Sequence, residues 1–532
     1  MKKRKKIILG SITGALALAL AGGGFWAYKT FVPQETPIDK NATVASNFYQ
    51  AVNKDWLLKT KIPADSPSID NFYTLDEDVK GKLKKDIKNL GEGKESSDIT
   101  GMSEFITFYK AASDYKQREK DGLEPLKPYL KEIEDIKDLN DLANKSASLT
   151  DKGIPIPFGY DVGTNAENTS QKQIQLSPPS ILLPDVSIYK DESSKKQYLT
   201  PIETATQKAL EMLGYSEKNS KRIVKEALEF DEIIAKYSLS NEEMSESKNL
   251  VHPKTAEEIN AYSGSFKLYD VIKGIMGRDL ETINVPNTKY FENYSKVVNQ
   301  DNFSKIKSWM LMQEAMAASN SLTEDYRLNF ASISMAITGT QKPISKEDTV
   351  YEMSVNLFSD VMSVYYGRKY FGEEAKTDVT GMIDKIKNVY RGRLQQNNWL
   401  TEGTRNKAIE KLDKMKVFVG YQEDVNPGTK ELHLDPNKSF FELSEDIAQF
   451  GKRYTIDHFD EPIDKNKWSG SAFDINAYYN PESNSINFPA GILQAPFYDK
   501  NQSTEKNYGG IGVVIGHEIT HAFDSNGADY DE

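Results

Sequence analysis

Cysteine is absent from the 532-residue chain. Disulfides and thiol chemistry are therefore excluded, and stability has to come from packing and from any metal held by other ligands. Excess positive charge is lacking too: 67 Lys and Arg stand against 79 Asp and Glu, a formal net charge of -12. With no basic domain to neutralise phosphates, nucleic acid is not an expected partner. The chain shows no internal repeat, no low-complexity tract and no glycine-rich phosphate loop. Its length exceeds what one core usually accommodates, so two or more folding units are expected. Histidine is scarce, with five in all, so their placement carries information.

Two of the five form His517-Glu518-Ile519-Thr520-His521, the pattern His-Glu-x-x-His of zinc peptidases. Positions four apart return to one helix face, so His517 and His521 can grip a single ion. Glu518 projects beside His517 rather than over it, which suits a base acting on water, not a ligand. Asp524 lies three residues past His521, near the same face, where it can orient a ligand imidazole as an acceptor. The run 509–516 carries no charge and reads as a buried segment. A catalytic zinc takes three protein ligands plus water, and only two are visible. His252 beside Pro253, and His433 between Leu432 and Leu434, have no ligand-spaced partner and read as loop residues.

Residues 507–524, together with Ile475-Asn476-Ala477-Tyr478-Tyr479 and the run 487–494 (NFPAGILQ), resemble the neprilysin family of zinc endopeptidases, most closely its bacterial oligoendopeptidase branch. Residues 47–56 and Ile62-Pro63 resemble the family's opening segment. The resemblance implies a mainly α fold with small β-hairpins, in a two-lobed, gluzincin-like architecture enclosing a chamber. It implies hydrolysis of internal bonds in oligopeptides, N-terminal to hydrophobic residues, with one Zn2+ per complete chain. His517 and His521 would be the ligands, Glu518 the general base, and Asn476 and Ala477 the groups that hold substrate main chain. Such enzymes take the third ligand from a Glu-x-x-x-Asp helix further on, and beyond it supply an Arg and a His that hold substrate and the oxyanion. Only eleven residues follow His521, and the one Glu among them is Glu532. Asp457 and Asp460, beside His458, have no spacing to recommend them as replacements. The expectation is thus an endopeptidase without its C-terminal part, monomeric and inactive as it stands, with a non-catalytic cell-surface peptide-binding protein as the alternative.

Residues 1–6 form a basic block, and residues 7–28 run 22 positions without a charge, long enough to cross a bilayer. The expected reading is a signal-anchor transmembrane helix with the catalytic part outside the cell membrane; a cleaved, secreted form is the alternative. The expected division is 1–29 basic segment and anchor, 30–44 linker, 45–79 the start of the catalytic lobe, 80–416 a helical second lobe, and 417–532 the rest of the catalytic lobe. Within it, apolar spacing predicts helices over 303–318 and 350–366, a helix capped by Thr401, and a first helical turn at Pro201. Residues 154–160 and 173–176 are expected to form a small hairpin. Residues 473–479 and 485–488 are expected to form another, whose edge can hold an extended peptide through main-chain bonds.

Overall fold

The structure is a computed structural model and describes residues 38–531. Helices dominate it, and two small sheets complete it. Strands β1 (Gly159–Asn165) and β2 (Asn168–Ser177) form a hairpin, but not with the expected bounds: β1 shares only Gly159 and Tyr160 with the strand expected over 154–160, while β2 includes the one expected over 173–176. Two short strands, β3 (Pro253–Lys254) and β4 (Ile283–Asn284), extend it in the order β1-β2-β4-β3. The second sheet has the order β5-β7-β6, from β5 (Lys416–Gly420), β6 (Tyr478–Asn480) and β7 (Ser485–Pro489). β5 runs parallel to β7, and β6 returns antiparallel on the outer edge.

Buried apolar side chains gather into two lobes. One core draws on residues between Leu126 and Ile337 and adds Phe441. A second draws on Leu75 to Ala112, Val350 to Tyr366 and parts of 425–490. A third lies under the second sheet and includes Val379, Leu412, Ile486, Phe488, Ile511, Ile515 and Ile519. Phe371, Ile475 and Phe497 pack against both the second and the third core, so these two make one lobe. Helix Phe440–Asp457 ties the lobes together at its start, because Phe440 enters the second core and its neighbour Phe441 the first. Arg118 reinforces the junction. Its buried guanidinium donates to the carbonyls of Leu322 (2.6 Å) and Asn320 (2.7 Å) and lies 4.7 Å from the Phe440 ring centre. A buried cation needs such partners, since an unpaired one costs several kcal/mol.

Local signals account for most helix ends. Thr401 caps helix Glu402–Lys414, its Oγ1 accepting from the Thr404 N–H at 3.1 Å. Ser439 and Glu442 form a reciprocal capping box at the start of Phe440–Asp457. Two expectations need adjustment. The helix expected over 350–366 is two helices, Lys346–Leu357 and Ser359–Tyr370, broken at Phe358, whose φ of -112° and ψ of 40° are not helical. Phe358 is buried against Phe105 and Phe108, so packing overrides the periodic pattern there. Pro201 lies inside helix Glu192–Met212, not in its first turn.

The expected membrane anchor is corrected. Among the described residues no helix is long and apolar enough to cross a membrane. The longest helix, Glu373–Gln395, has 23 residues but is studded with charges, and the apolar helix Ile511–His521 has only 11. A bilayer span needs about 20 consecutive apolar residues. The apolar run 7–28 on which the anchor rested lies outside the described residues. No helix among the described residues supports the transmembrane, signal-anchor and membrane-partner assignments or the placement at the cell membrane.

Candidate active site

Helix Ile511–His521 is fixed at its start and along one stripe. Gly510 precedes it, and a Cβ there would stand 2.3 Å from the Phe497 carbonyl oxygen. That close approach lets the Ile511 N–H donate to the same carbonyl at 2.8 Å. Ile511, Ile515 and Ile519 follow at four-residue intervals and are fully buried in the third core. The stripe sets the helix rotation, and the other side carries Val513, His517 and His521. Val513 is 65% exposed.

The two imidazoles converge. Their Nε2 atoms stand 3.0 Å apart, with the ring planes nearly perpendicular at 87°. Two nitrogens each about 2.05 Å from a tetrahedral zinc would be about 3.3 Å apart, so the pair fits that ion with little adjustment. His521 Nδ1 donates to Asp524 Oδ2 at 2.8 Å. An ionised carboxylate only accepts, so this bond puts the proton on Nδ1 and leaves the Nε2 lone pair facing His517, the arrangement a metal ligand needs. Asp524 is itself held: its Oδ1 accepts from the N–H groups of Asn526 (2.9 Å) and Gly527 (2.8 Å). Burial pushes the Asp524 carboxyl up, but these donors and His521 outweigh it and hold the pKa below the ordinary value.

Glu518 lies on the neighbouring face and is 5% exposed. Burial raises its pKa to about 7, against the opposing effects of His521 and of a hydrogen bond from the Tyr479 main-chain N–H. Among the described residues, His517, Glu518 and His521 form the one group of three or more His, Cys, Asp or Glu side chains close enough to share an ion, with ligand atoms within 4.8 Å of one another. Neither Asp457 nor Asp460 joins it; Asp460 pairs with Arg278 instead.

β6 is shorter than expected. It begins at Tyr478, so Asn476 and Ala477 precede the strand. Ala477 is buried in the third core, while Asn476 is exposed. Asn476 lines a polar cavity of about 310 Å3 together with Asp76, Lys80, Glu352, Asp474 and Tyr478. Tyr478 donates to Asp474 Oδ2 at 2.8 Å, and both residues line that cavity. Tyr479 was quoted in the sequence motif without a role, yet its main chain reaches Glu518.

A helix that aims two imidazoles at one point, beside a buried carboxyl and an edge strand, defines a zinc peptidase of the His-Glu-x-x-His class. Comparison with known proteins narrows this. Two models described as peptidase family M13 match residues 44–422 and 476–532, and the chain belongs to that family. It is 35% identical over 495 residues to a neutral endopeptidase of Lactobacillus helveticus, covering 93% of this chain and 76% of the relative. A neutral endopeptidase of Lactococcus lactis subsp. lactis is 33% identical, covering 92% and 78%. Among solved structures, PEPO from Lactobacillus rhamnosis superposes with a TM-score of 0.87 at 26% identity, over 92% of this chain and 78% of that one. A zinc metalloprotease of Mycobacterium tuberculosis, solved with an inhibitor, shares the fold with a TM-score of 0.83 at 24% identity, over 93% and 75%.

Proposed function

We propose that this chain supplies the peptide-holding edge, the general base and two imidazole ligands of a zinc endopeptidase. A polypeptide of these 532 residues binds oligopeptides with little or no turnover. The observation that carries this reading is the cluster itself: two converging imidazoles beside Glu518, with no other group of three or more potential ligands close enough to share an ion among the described residues.

In this reading His517 and His521 hold Zn2+, and Asp524 keeps His521 in the ligating tautomer. When bound, the ion supplies Lewis acidity toward water and the scissile carbonyl. Glu518 takes a proton from the attacking water and passes it to the departing amine, so it is kept out of the ligand set. Asn476 and Ala477 hold the main chain of an extended oligopeptide. The specificity we propose is for an apolar residue on the amine side of the cut. It is supported by Val513, an exposed apolar side chain one helical turn before His517 on the same face. We further propose that the chain acts as a monomer, and that the zinc-bearing lobe joins 45–79 and 417–532 to the parts of 80–416 that enter the second and third cores, with the residues between Leu126 and Ile337 forming the other.

The test is an internally quenched oligopeptide, measured for binding and for cleavage with and without added Zn2+, in wild type and Glu518→Gln. Binding is expected to persist in both. Any residual zinc-dependent cleavage should fall by about 10²- to 10⁴-fold in the variant, the usual worth of a positioned base. Efficient cleavage by wild type that depends on Glu518 would show that the metal centre is complete and would overturn the non-catalytic part of the reading. Absence of peptide binding would overturn the rest.

A further inference from the structure

Lys411 lies far from the motif in sequence, on helix Glu402–Lys414, yet its side chain ends on the segment that follows the motif. It is 5% exposed, and its ammonium donates to the carbonyl oxygens of Gly527 and Tyr530, both at 2.6 Å. Those carbonyls belong to the segment that follows helix Ile511–His521. The segment folds back tightly on the helix end: a Cβ on Gly527 would lie 1.9 Å from the His521 carbonyl oxygen, so only glycine fits. The N–H of the same Gly527 donates to Asp524 Oδ1, and Asp524 Oδ2 accepts from His521. Lys411 is therefore linked to the His521 ring in steps: a hydrogen bond to the Gly527 carbonyl, the Gly527 main chain, and then hydrogen bonds from its N–H to Asp524 and from His521 to Asp524.

The main chain of Lys411 serves the other half of the site. Its carbonyl accepts from Asn484 Nδ2 at 2.9 Å, and Asn484 Oδ1 accepts from the Tyr479 hydroxyl at 3.3 Å. Tyr479 is the residue whose N–H meets Glu518. Asn484 sits at the β6–β7 turn with a left-handed φ of 46°, a conformation that Asn tolerates better than most residues. A buried ammonium is costly unless its protons are met by acceptors, and here the acceptors it meets are the carbonyls of the segment carrying Asp524.

We infer that Lys411 is a positioning residue of the metal centre: it pins the Asp524 segment through its side chain and the Tyr479 hairpin through its carbonyl, and so sets the tautomer and aim of His521. It touches neither substrate nor metal. The inference rests on the reading of His517 and His521 as metal ligands.

The test compares Lys411→Met with wild type in two measurements. Zinc affinity is read by competition with a chelator. Side-chain 15N NMR of the metal-free protein reads which nitrogen of His521 carries the proton. Zinc affinity is expected to fall by about 10- to 100-fold, the usual cost of losing a group that orients a ligand, and the Nδ1-protonated form of His521 to lose population. In an Asp524→Asn background, Lys411→Met should cost no further affinity, because both act through one path. An unchanged His521 tautomer with unchanged zinc affinity, or additive losses in the double variant, would overturn the inference. Lys411→Gln, judged by the same readouts, serves where the Met variant does not fold. Should wild type take up no zinc, the reading of the two histidines fails, while the His521 tautomer still decides the role of Lys411.

Discussion

Helices Phe303–Ala317 and Ile511–His521 are both apolar in text, and each carries one buried glutamate, Glu314 at 6% exposed and Glu518 at 5%. Their surroundings differ. The first is enclosed on nearly every side, with Ile306, Trp309, Met310, Met312 and Ala315 all in the first core. The second buries a single stripe and leaves Val513 and His517 exposed. Burial raises the pKa of both carboxyls, to about 8 for Glu314 and about 7 for Glu518. Glu314 faces another acid, Glu445, and the amine of Lys452. Glu518 faces an imidazole and a main-chain donor, beside an open helix face. The same residue type is thus enclosed beside an acid and an amine in one helix and set beside an imidazole and an open face in the other, and the neighbours decide what it can do.

The comparison breaks most readily at the packing around the enclosed helix, where helix Glu217–Tyr237 meets it. Phe230 is fully buried and meets Trp309 edge-on at 5.7 Å between ring centres. Phe230→Ala should cost about 3–5 kcal/mol, through lost burial and the cavity left behind. Chemical denaturation followed by Trp fluorescence checks this, and a loss below about 1 kcal/mol would mean that the first core is far looser than its packing indicates.

The next effect is a pH dependence. The folded pKa of Glu314, about 8, lies above its ordinary value of 4.5. The native state therefore holds a proton that the unfolded chain releases between those values. Its contribution to stability is fully present below about pH 4.5 and is lost as pH rises through about 8. Glu445, raised by burial to about 7, acts with the same sign. One such group contributes a slope of up to about 1.4 kcal/mol per pH unit. Glu314→Gln should flatten the fall in stability between pH 5 and 8 relative to wild type, measured by denaturation at each pH. A variant with an unchanged slope would show that Glu314 titrates normally.

How much of this was open to reading depends on distance along the chain. The metal pair was legible because His517 and His521 are four residues apart and a helix alone brings them together. Thr401 as a cap and the β1–β2 hairpin were legible for the same local reason. The break at Phe358 was not, since its cause is contact with Phe105 and Phe108, some 250 positions earlier. Lys411 was hidden more deeply. It stands between Glu410 and Lys414 in a charged stretch that reads as a solvated helix face, and its partners lie 116 and 119 positions away. No property of the residue distinguishes it from the lysines around it. Only the packing of that helix against the site does so.

The smallest expected change in stability tests what the open face of the second helix is for. Val513 is 65% exposed, so Val513→Ser removes little apolar area from a buried environment and should move stability by no more than about 0.5 kcal/mol. Were Val513 merely an uncovered core residue, nothing else would change. If it forms part of the surface that receives an apolar substrate side chain, the same substitution removes about two methyl-sized contacts from the bound state. At about 0.8 kcal/mol for each buried methylene, affinity for a peptide carrying Phe or Leu should fall about tenfold, while a matched Ala peptide should bind almost as before. Fluorescence anisotropy with the two peptides separates these cases. Equal losses for both, or no loss for either, would remove Val513 from the specificity assignment and leave its exposure without a role in peptide recognition.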